Sequence, residues 1–484
     1  MRCNVKLSKL IQDLEVVKVI GQTNVEINDV KIDSNQVNSG NLFICIRGKD
    51  FDGHGFIRQV ELYGAKAVVT EKELDTSVTQ IIVKNTRLAM SAIASAFYGH
   101  VDRKMKLIAV LGTNGKTTTS HLIKSILDNA GYKCGVIGTL GSYFCDKHIE
   151  PSLTTPDPLV LHKTLFEMYA CGIRTVVMEV SAHAVYFEKV KGLKFSAAVF
   201  TNFSQDHLDF FENMEKYKQA KIKFFKQTDC EYVITNVDDQ VGRELTSVVK
   251  KAITYGLENP SDVFAIKVNS NGERSQFIIN LFDCIYDVKI KLIGKFNVYN
   301  ALAAATTCAL MGVKPKKVVE GLESADCISG RLECVYNKNY HVYVDYAHTP
   351  DGLKKSLEAL RPLVKNRLIC VFGCGGNRDQ SKRRLMGNIS AKNADFTIIT
   401  SDNPRFEEPM DIISEVEKGV LLENKEFVSI ENREEAIFYA LNMAMQGDVI
   451  LIAGKGSEKY QEVLGIKKLY NDKDTVKEHF RRKK

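Results

Sequence analysis

"LIAVLGTNGKTTTSHLI", residues 107–123, decides how the rest of the chain is read. Its first five residues are an unbroken apolar run, as in a strand buried on both faces. "GTNG" permits a tight turn whose backbone N–H groups point inward. Beyond Lys116 the apolar residues Leu122, Ile123, Ile126 and Leu127 recur at helical spacing, and Gly131 closes the helix. Strand, glycine turn and helix N-terminus together form an anion site. In such a site Lys116 reaches terminal phosphates and Thr117 can place a hydroxyl on Mg²⁺. The common loop is G-x-x-x-x-G-K-[ST], yet the position five before Gly115 is Val110, so this loop is a shortened one. The alternative, an ordinary tight strand-to-helix turn, does not call for Lys-Thr after two glycines.

Working outward, three regions separate. The first, residues 1–102, has strand-like runs ("NLFICIRG", "AKAVVT", "QIIVKN") and a helix-like run, "LAMSAIASAFYG"; "GHVDRKM" then reads as a linker. The second, residues 103–330, opens with "KLIAVLG" and continues with the strand candidates "RTVVMEV", "SAAVFTNF" and "EYVITNV" between helical stretches, then a less regular β-rich part. The third, residues 331–484, alternates the strands "HVYVDYA", "RLICVFG", "DFTIITS" and "DVILIAG" with helices such as "PDGLKKSLEALRPLV". The expected fold class is therefore α/β in three domains, a central parallel-sheet nucleotide domain flanked by an N-terminal α/β domain and a C-terminal Rossmann-like one. Two α/β units side by side suggest a cleft for two substrates.

Bulk properties narrow the class. At 484 residues the chain is too long for one core, and 44% hydrophobic with 26% charged residues is ordinary for a globular protein. Its net charge of +7 is spread out apart from Arg481, Arg482, Lys483 and Lys484, which read as a frayed end, not a nucleic-acid arm. The twelve cysteines show no C-x-x-C pair and read as free thiols of a reducing compartment. No apolar run approaches a membrane span and the N-terminus lacks a signal-peptide core, so a cytoplasmic enzyme with an anionic substrate is expected, without nucleic-acid partners.

Downstream residues are ambiguous taken singly. Glu179 ends "RTVVMEV", where a carboxylate could hold Mg²⁺ or simply face solvent. His207 lies between Asp206 and Asp209, either a metal ligand or a surface pair. Lys221 sits among Lys216, Lys218 and Lys223, where composition favours a solvated lysine. Asn297 could cap the helix that begins in "GKFNVYNALAA". "DNPR" at 402–405 could be a proline turn with a surface arginine.

The ordered series changes the weights. "GTNGKTT", "MEVSAHA", "DHLD", Y-x-x-A-K, "GKFNVYNALAA", "SGRLECV" and "VDYAHTPDGL" resemble, in this order and over essentially the full length, the Mur ligases, the amide-forming enzymes of peptidoglycan precursor synthesis. The resemblance implies ATP at Gly112, Thr113, Asn114, Gly115, Lys116, Thr117 and Thr118, with Asn297, Asn300, Arg331, Asp345 and His348 around the nucleotide. It implies catalytic roles for Lys116, Glu179, His207 and Lys221, and Mg²⁺ held by Thr117, Glu179, His207 and Lys221, the lysine being carbamylated by CO₂. A neutral amine that captures CO₂ becomes an anionic oxygen ligand for a hard cation.

"GCGGNRDQSKRRLMG", "TSDNPRFEEP" and "AGKGSEKYQ" are similar to the branch that adds the third peptide residue to UDP-N-acetylmuramoyl-L-alanyl-D-glutamate, and D-N-P-R to those of its members that add meso-diaminopimelate. Arg405 and Arg378 would clamp the distal carboxylate of that amino acid, with Asp402, Asn403, Pro404, Gly454 and Glu458 completing its pocket. Lysine would leave the arginines unpaired. Ser34, Lys49, Asp50 and Phe51 match the uridine segment, and Thr154, Thr155, Ser181 and Lys189 the contacts to the muramyl dipeptide. Asn35, Leu153, Phe187, Lys189 and Ser457 depart from the usual residues; Lys189 keeps a charge but loses arginine's fork. The expected protein is a monomeric ligase acting on small molecules. Its rivals are an L-lysine-adding ligase of the same fold, folylpolyglutamate synthase, which lacks a uridine-type first domain, and a phosphate-loop ATPase that joins nothing.

Overall fold

The computed structural model describes residues 4–48, 51–271 and 273–482. The chain divides into two compact units, Met1–Ala109 with Lys133–Ala198 and Lys223–Glu231, and Val110–Tyr132 with Val199–Ile222 and Tyr232–Lys484.

In the first unit a five-stranded sheet runs in the order Val16–Ile20, Thr79–Val83, Ala67–Thr70, Asn41–Ile44, Asp29–Lys31. Only its first pair is antiparallel. The inner strands are apolar at consecutive positions because both faces are covered: Leu42, Ile44 and Val69 pack with the helix Thr86–Phe97, and Phe43 and Val68 pack against Ile57 and Val60 on the other side. Asn85 starts that helix by accepting from the backbone N–H of Arg87 and Leu88. The segment read as a linker is tied down. Val101–Lys104 forms a 3₁₀ turn, and buried Asp102 accepts a 2.6 Å bond from Ser95 Oγ. The same unit holds the parallel pair Cys134–Gly138 and Thr175–Glu179.

The strand Lys106–Leu111 begins in the first unit and ends in the second. The helix Lys116–Asn129 follows the phosphate loop. It closes as expected at Gly131 (φ +86°), with Gly131 N donating to Asp128 O and Tyr132 N to Leu127 O. The β-rich part is an ordered run of neighbours, with Val263–Ser270, Ser275–Leu281 and Cys284–Ile290 as an antiparallel meander. A six-stranded sheet runs Glu333–Asn337, His341–Asp345, Val449–Ala453, Leu368–Phe372, Phe396–Thr400, Phe427–Ile430, parallel apart from its first pair. Leu368, Cys370 and Phe372 face one core and Ile369 and Val371 the other. The carboxyl ends of these strands, at Asp345, Phe372, Thr400 and Ala453, open toward the loops that carry the expected site residues. The basic tail is helical through Arg482, within Asp472–Arg482, not frayed there; Lys483 and Lys484 lie outside the described residues.

Candidate functional site

The phosphate loop is held open by two glycines. Gly112 has φ +145° and Gly115 φ +85°; a Cβ on Gly115 would stand 2.4 Å from Asn300 Oδ1, and one on Gly112 1.8 Å from Thr201 Oγ1. Asn300 joins the loop to its helix, accepting from Thr119 Oγ1 at 3.3 Å and donating to Asn297 Oδ1 at 3.0 Å. Asn297 is not the helix cap. Gly294 occupies that place, and Asn297 lies one turn in, donating to Ile293 O at 2.8 Å. Thr113 and Asn114 are fixed from Asn202, through its carbonyl at 2.8 Å and its Oδ1 at 3.0 Å. Thr118 is buried in the first turn of the helix.

Two lysine amines converge on one carbonyl. Lys116 Nζ donates to Gly112 O at 3.0 Å and to Thr113 O at 2.7 Å, and Lys221 Nζ donates to Gly112 O at 2.7 Å. Lys221 is 1% exposed and lies 4.7 Å from the centre of the Tyr217 ring. Burial, and then the Lys116 charge, hold its ammonium well below the ordinary lysine pKa. The solvated-lysine reading is thus overturned for Lys221: Tyr217, Lys221 and Phe224 lie on one buried helix stripe, while Lys216 points to solvent.

Asp206, adjacent to His207, gathers basic side chains. His207 has φ +56° and precedes the short helix Leu208–Phe211; its Nε2 lies 3.3 Å from Asp206 Oδ2. His348 Nε2 lies 3.6 Å and Lys382 Nζ 3.9 Å from the same carboxylate. Although burial opposes it, the bond to His348 and the charges of His207, His348 and Lys382 keep Asp206 well below the usual carboxylate range. Arg331 Nη2 donates to Thr117 Oγ1 at 2.9 Å and its guanidinium stacks 4.5 Å from the Tyr346 ring centre. Asp345 accepts from the backbone N–H of Leu332 and Ala347, which fixes the turns carrying Arg331 and His348. Gly112 to Thr117, His207, Lys221, Asn297, Asn300, Arg331, Asp345 and His348 all lie within the second unit.

Glu179 belongs to the first unit. It is 1% exposed, so the solvent-facing reading fails; Oε1 accepts from Thr139 N at 3.0 Å and Oε2 from Thr139 Oγ1 at 2.9 Å. Thr139 Oγ1 also meets Thr154 Oγ1 at 3.1 Å, and Thr155 Oγ1 donates to Glu179 O at 2.9 Å while accepting from Ser181 N at 3.0 Å. Thr154, Thr155, Ser181 and Glu179 therefore form one hydroxyl-and-carboxylate cluster. Lys189 pairs with Asp157 at 2.9 Å. Leu153 is exposed, and the Arg87 guanidinium lies 5.1 Å from the Phe187 ring centre. Ser34 is buried in a 3₁₀ turn capped by Asp33, Asn35 Oδ1 accepts from Gln59 Nε2 at 3.0 Å, and Phe51 is exposed. Lys49 and Asp50 lie outside the described residues.

The expected amino-acid pocket lies within the second unit. Asn403 donates to Glu458 Oε2 at 3.0 Å, and buried Lys455 donates to Asn403 Oδ1 and to Glu458 Oε2, both at 2.9 Å. A Cβ on Gly454 would stand 2.6 Å from Asp402 Oδ2, so only glycine admits that carboxylate. Despite burial, the Lys455 and Arg433 charges hold Asp402 below its ordinary value. Pro404 is buried, and Arg405 Nη1 donates to Gly376 O at 2.8 Å. A Cβ on Gly375 would meet Arg405 Nη1 at 3.0 Å and the aliphatic Cγ of Arg378 at 3.8 Å, while the Arg378 guanidinium donates to Asn377 O at 3.2 Å and lies 3.9 Å from Asp209 Oδ2. "DNPR" is thus more than a surface turn. The backbone N–H of Ser457 lies against Gly330. Sequence reasoning gave no role to Thr139, Asn202, Lys382 or Lys455, and took Asp206 only as a carboxylate flanking His207. Tyr217 stood in the Y-x-x-A-K motif and could have been found from it.

Among the described residues no three His, Cys, Asp or Glu side chains cluster at ion-binding spacing. The expected donor set also draws on a hydroxyl and on Lys221. The described cysteines, from Cys45 to Cys374, are free thiols, and no described helix is long and apolar enough to cross a membrane.

Three family descriptions match: "Mur ligase family, catalytic domain" over residues 26–98, "Mur ligase middle domain" over 110–308, and "Mur ligase, glutamate ligase domain" over 330–456. The UDP-N-acetylmuramoyl-L-alanyl-D-glutamate--2,6-diaminopimelate ligase 1 of Clostridium acetobutylicum is 42% identical, over 98% of this chain and 99% of its own. The Clostridium tetani ligase of the same name is 39% identical over 98% and 99%. A solved structure of a ligase with that name superposes with TM-score 0.71 at 28% identity, covering 99% of each chain. The MurF ligase of Thermotoga maritima in complex with ADP shares the fold, with TM-score 0.66 at 18% identity over 94% of this chain and 97% of its own.

Proposed function

The chain belongs to the Mur ligase family, and we propose that it joins meso-2,6-diaminopimelate to UDP-N-acetylmuramoyl-L-alanyl-D-glutamate at the expense of ATP. The γ-carboxylate of the D-glutamyl residue attacks the γ-phosphorus of ATP, the bond to the β-γ bridging oxygen breaks, and ADP leaves. The α-amine of diaminopimelate then attacks the carbonyl of the acyl phosphate. The tetrahedral intermediate collapses, phosphate departs with its electron pair, and the new amide nitrogen gives up a proton.

The surroundings described for several of these residues support the parts given to them. The loop N–H groups from Thr113 to Thr117 present donors to the phosphates. Lys116, which now satisfies two loop carbonyls, exchanges them for phosphate oxygens, where its charge offsets that developing on the transferred group. Lys221 is the site for CO₂: its amine is buried beside a cation, which favours the neutral nucleophile. The neutral amine's lone pair forms the N–C bond, one C=O electron pair moves to oxygen, and the nitrogen gives up one of its two hydrogens as a proton, leaving an anionic carbamate. Mg²⁺ would take a hydroxyl from Thr117, a carboxylate oxygen from Glu179, an imidazole nitrogen from His207 and, once Lys221 is carbamylated, carbamate oxygens, and would supply positive charge to the phosphoryl oxygens. Arg405 and Arg378 hold the distal carboxylate of diaminopimelate, with Asp402, Asn403 and Glu458 for its other polar atoms. Ser34, Lys49, Asp50 and Phe51 take the uridine end, and Thr154, Thr155, Ser181 and Lys189 the muramyl dipeptide. The domains run 1–102, 103–330 and 331–484, and the enzyme works as a cytoplasmic monomer.

The observation that supports this reading most is the pair of lysine amines on one phosphate-loop carbonyl, one of them buried. Phosphate release from ATP tests it. It should require both the muramyl dipeptide and an amino acid, and proceed far better with meso-diaminopimelate than with L-lysine. Release without the dipeptide would mark a plain ATPase, and preference for lysine would move the chain to the lysine-adding branch.

A further inference from the structure

Arg405 is held in an unusual way. Its φ is +54°, in the left-handed region that an arginine seldom adopts. The strand Tyr460–Val463 straps it there: Arg405 N donates to Glu462 O at 3.1 Å, and Leu464 N donates to Arg405 O at 2.7 Å. The same strand grips the residues before it, with Gln461 Nε2 donating to Asp402 O at 2.7 Å and Glu462 N to Asn403 Oδ1 at 2.9 Å. The side chain is then fixed from two sides. Nη1 donates to Gly376 O at 2.8 Å, and Nε lies 3.4 Å from Glu462 Oε2 in an ion pair whose members are 18% and 21% exposed. A guanidinium carries five N–H donors in a rigid plane, so engaging Nε and Nη1 fixes the direction of the remaining Nη2 edge.

We infer that Glu462, a residue with no role assigned above, is a positioning residue for amino-acid selection: it sets the Arg405 fork so that its Nη2 edge meets the far carboxylate of the incoming diamino acid. This rests on the reading of Arg405 as the clamp for that carboxylate. Glu458 does not do this work, since Lys455 and Asn403 already engage it. Glu462 also places a negative charge beside the guanidinium.

The test uses the intact enzyme with Glu462→Gln and Glu462→Ala, and three acceptors: meso-diaminopimelate, 2-aminopimelate, which has the far carboxylate without its amine, and L-lysine, which has no far carboxylate. Wild-type preference for diaminopimelate is the entry condition, and its absence would remove the clamp reading itself. Given that preference, KM for both carboxylate-bearing acceptors should rise about tenfold in Glu462→Ala and less in Glu462→Gln, which keeps an acceptor oxygen. The KM for ATP, the residual rate with L-lysine and the melting temperature should stay as in wild type. Unchanged KM values would overturn the inference. So would a loss confined to diaminopimelate, which would make Glu462 a partner of the far ammonium, or an equal loss with all three acceptors, which would mark a general structural defect.

Discussion

Replacing Lys221 by methionine separates its structural role from its chemical one. The amine is 1% exposed and makes a 2.7 Å bond to Gly112 O. Losing that bond costs about 1 kcal/mol. The carbonyl is not orphaned, because Lys116 Nζ still donates to it at 3.0 Å. Methionine is near in volume and removes the cost of burying an amine whose charged form is disfavoured there. The two contributions nearly cancel, so unfolding free energy should stay within about 1 kcal/mol of wild type. Activity should not survive. The variant cannot take up CO₂ and loses the anionic oxygens proposed to hold a cation at the transferring phosphoryl group; losing a preorganised electrostatic group of this kind costs a factor of about 10²–10³ in kcat. Chemical denaturation gives the first quantity and substrate-dependent phosphate release the second. A further control is carbon dioxide: stripping it from the buffer should slow wild type and leave Lys221→Met unaffected. A Lys221→Met enzyme within tenfold of wild type would refute the reasoning, as would a wild type indifferent to dissolved CO₂.

Other outcomes follow from the same contacts. Arg405→Ala should raise KM for diaminopimelate by about 2 kcal/mol equivalent while leaving KM for ATP in place, measured by initial rates at varied acceptor. His121 is held down to about 4 by burial and the charges of Lys124 and Arg331. The fold therefore favours its neutral form: the contribution is present above about pH 6.5 and is lost as pH falls from there toward 4, by up to about 3 kcal/mol. His121→Phe should flatten that part of the pH–stability curve. Arg433 and Asp472 are both fully buried and joined at 2.8 Å, with Arg433 Nη2 also donating to Ala453 O at 2.9 Å. Arg433→Met should destabilise by about 3–5 kcal/mol by stranding the aspartate, and adding Asp472→Leu should recover much of it in denaturant melts. Gly115→Ala forces a Cβ toward Asn300 Oδ1 at a positive φ and should weaken ATP binding by calorimetry more than it lowers the melting temperature.

The phosphate loop and the parallel strands were legible because their signals are local. "LIAVL", "LICVF" and "VILIA" are apolar at every position, as doubly covered strands must be. Edge strands were not: Glu333–Asn337 and Phe427–Ile430 mix polar and apolar residues because one side meets solvent. Val101–Lys104 looked like a linker because its anchors, Ser95 and His162 beside Asp102, come from neighbouring helices. Glu179 and His207 drew their expected roles from motif order, while Thr139, Lys382 and Lys455 carry no local signature and are delivered by topology. Lys221 was hidden by its lysine-rich neighbours, although its spacing of four from Tyr217 and three from Phe224 marks the buried stripe. Glu462 lies on a hairpin whose other residues are largely exposed, and its meaning appears only once Arg405 is placed beside it.

The central claim is that the acid is activated by phosphoryl transfer before the amine attacks. Labelling the γ-carboxylate of the D-glutamyl residue with ¹⁸O and weighing the released phosphate by mass spectrometry tests this most directly. The account predicts one labelled oxygen in each phosphate formed together with the amide, and none in ADP. Unlabelled phosphate released alongside amide product would contradict it.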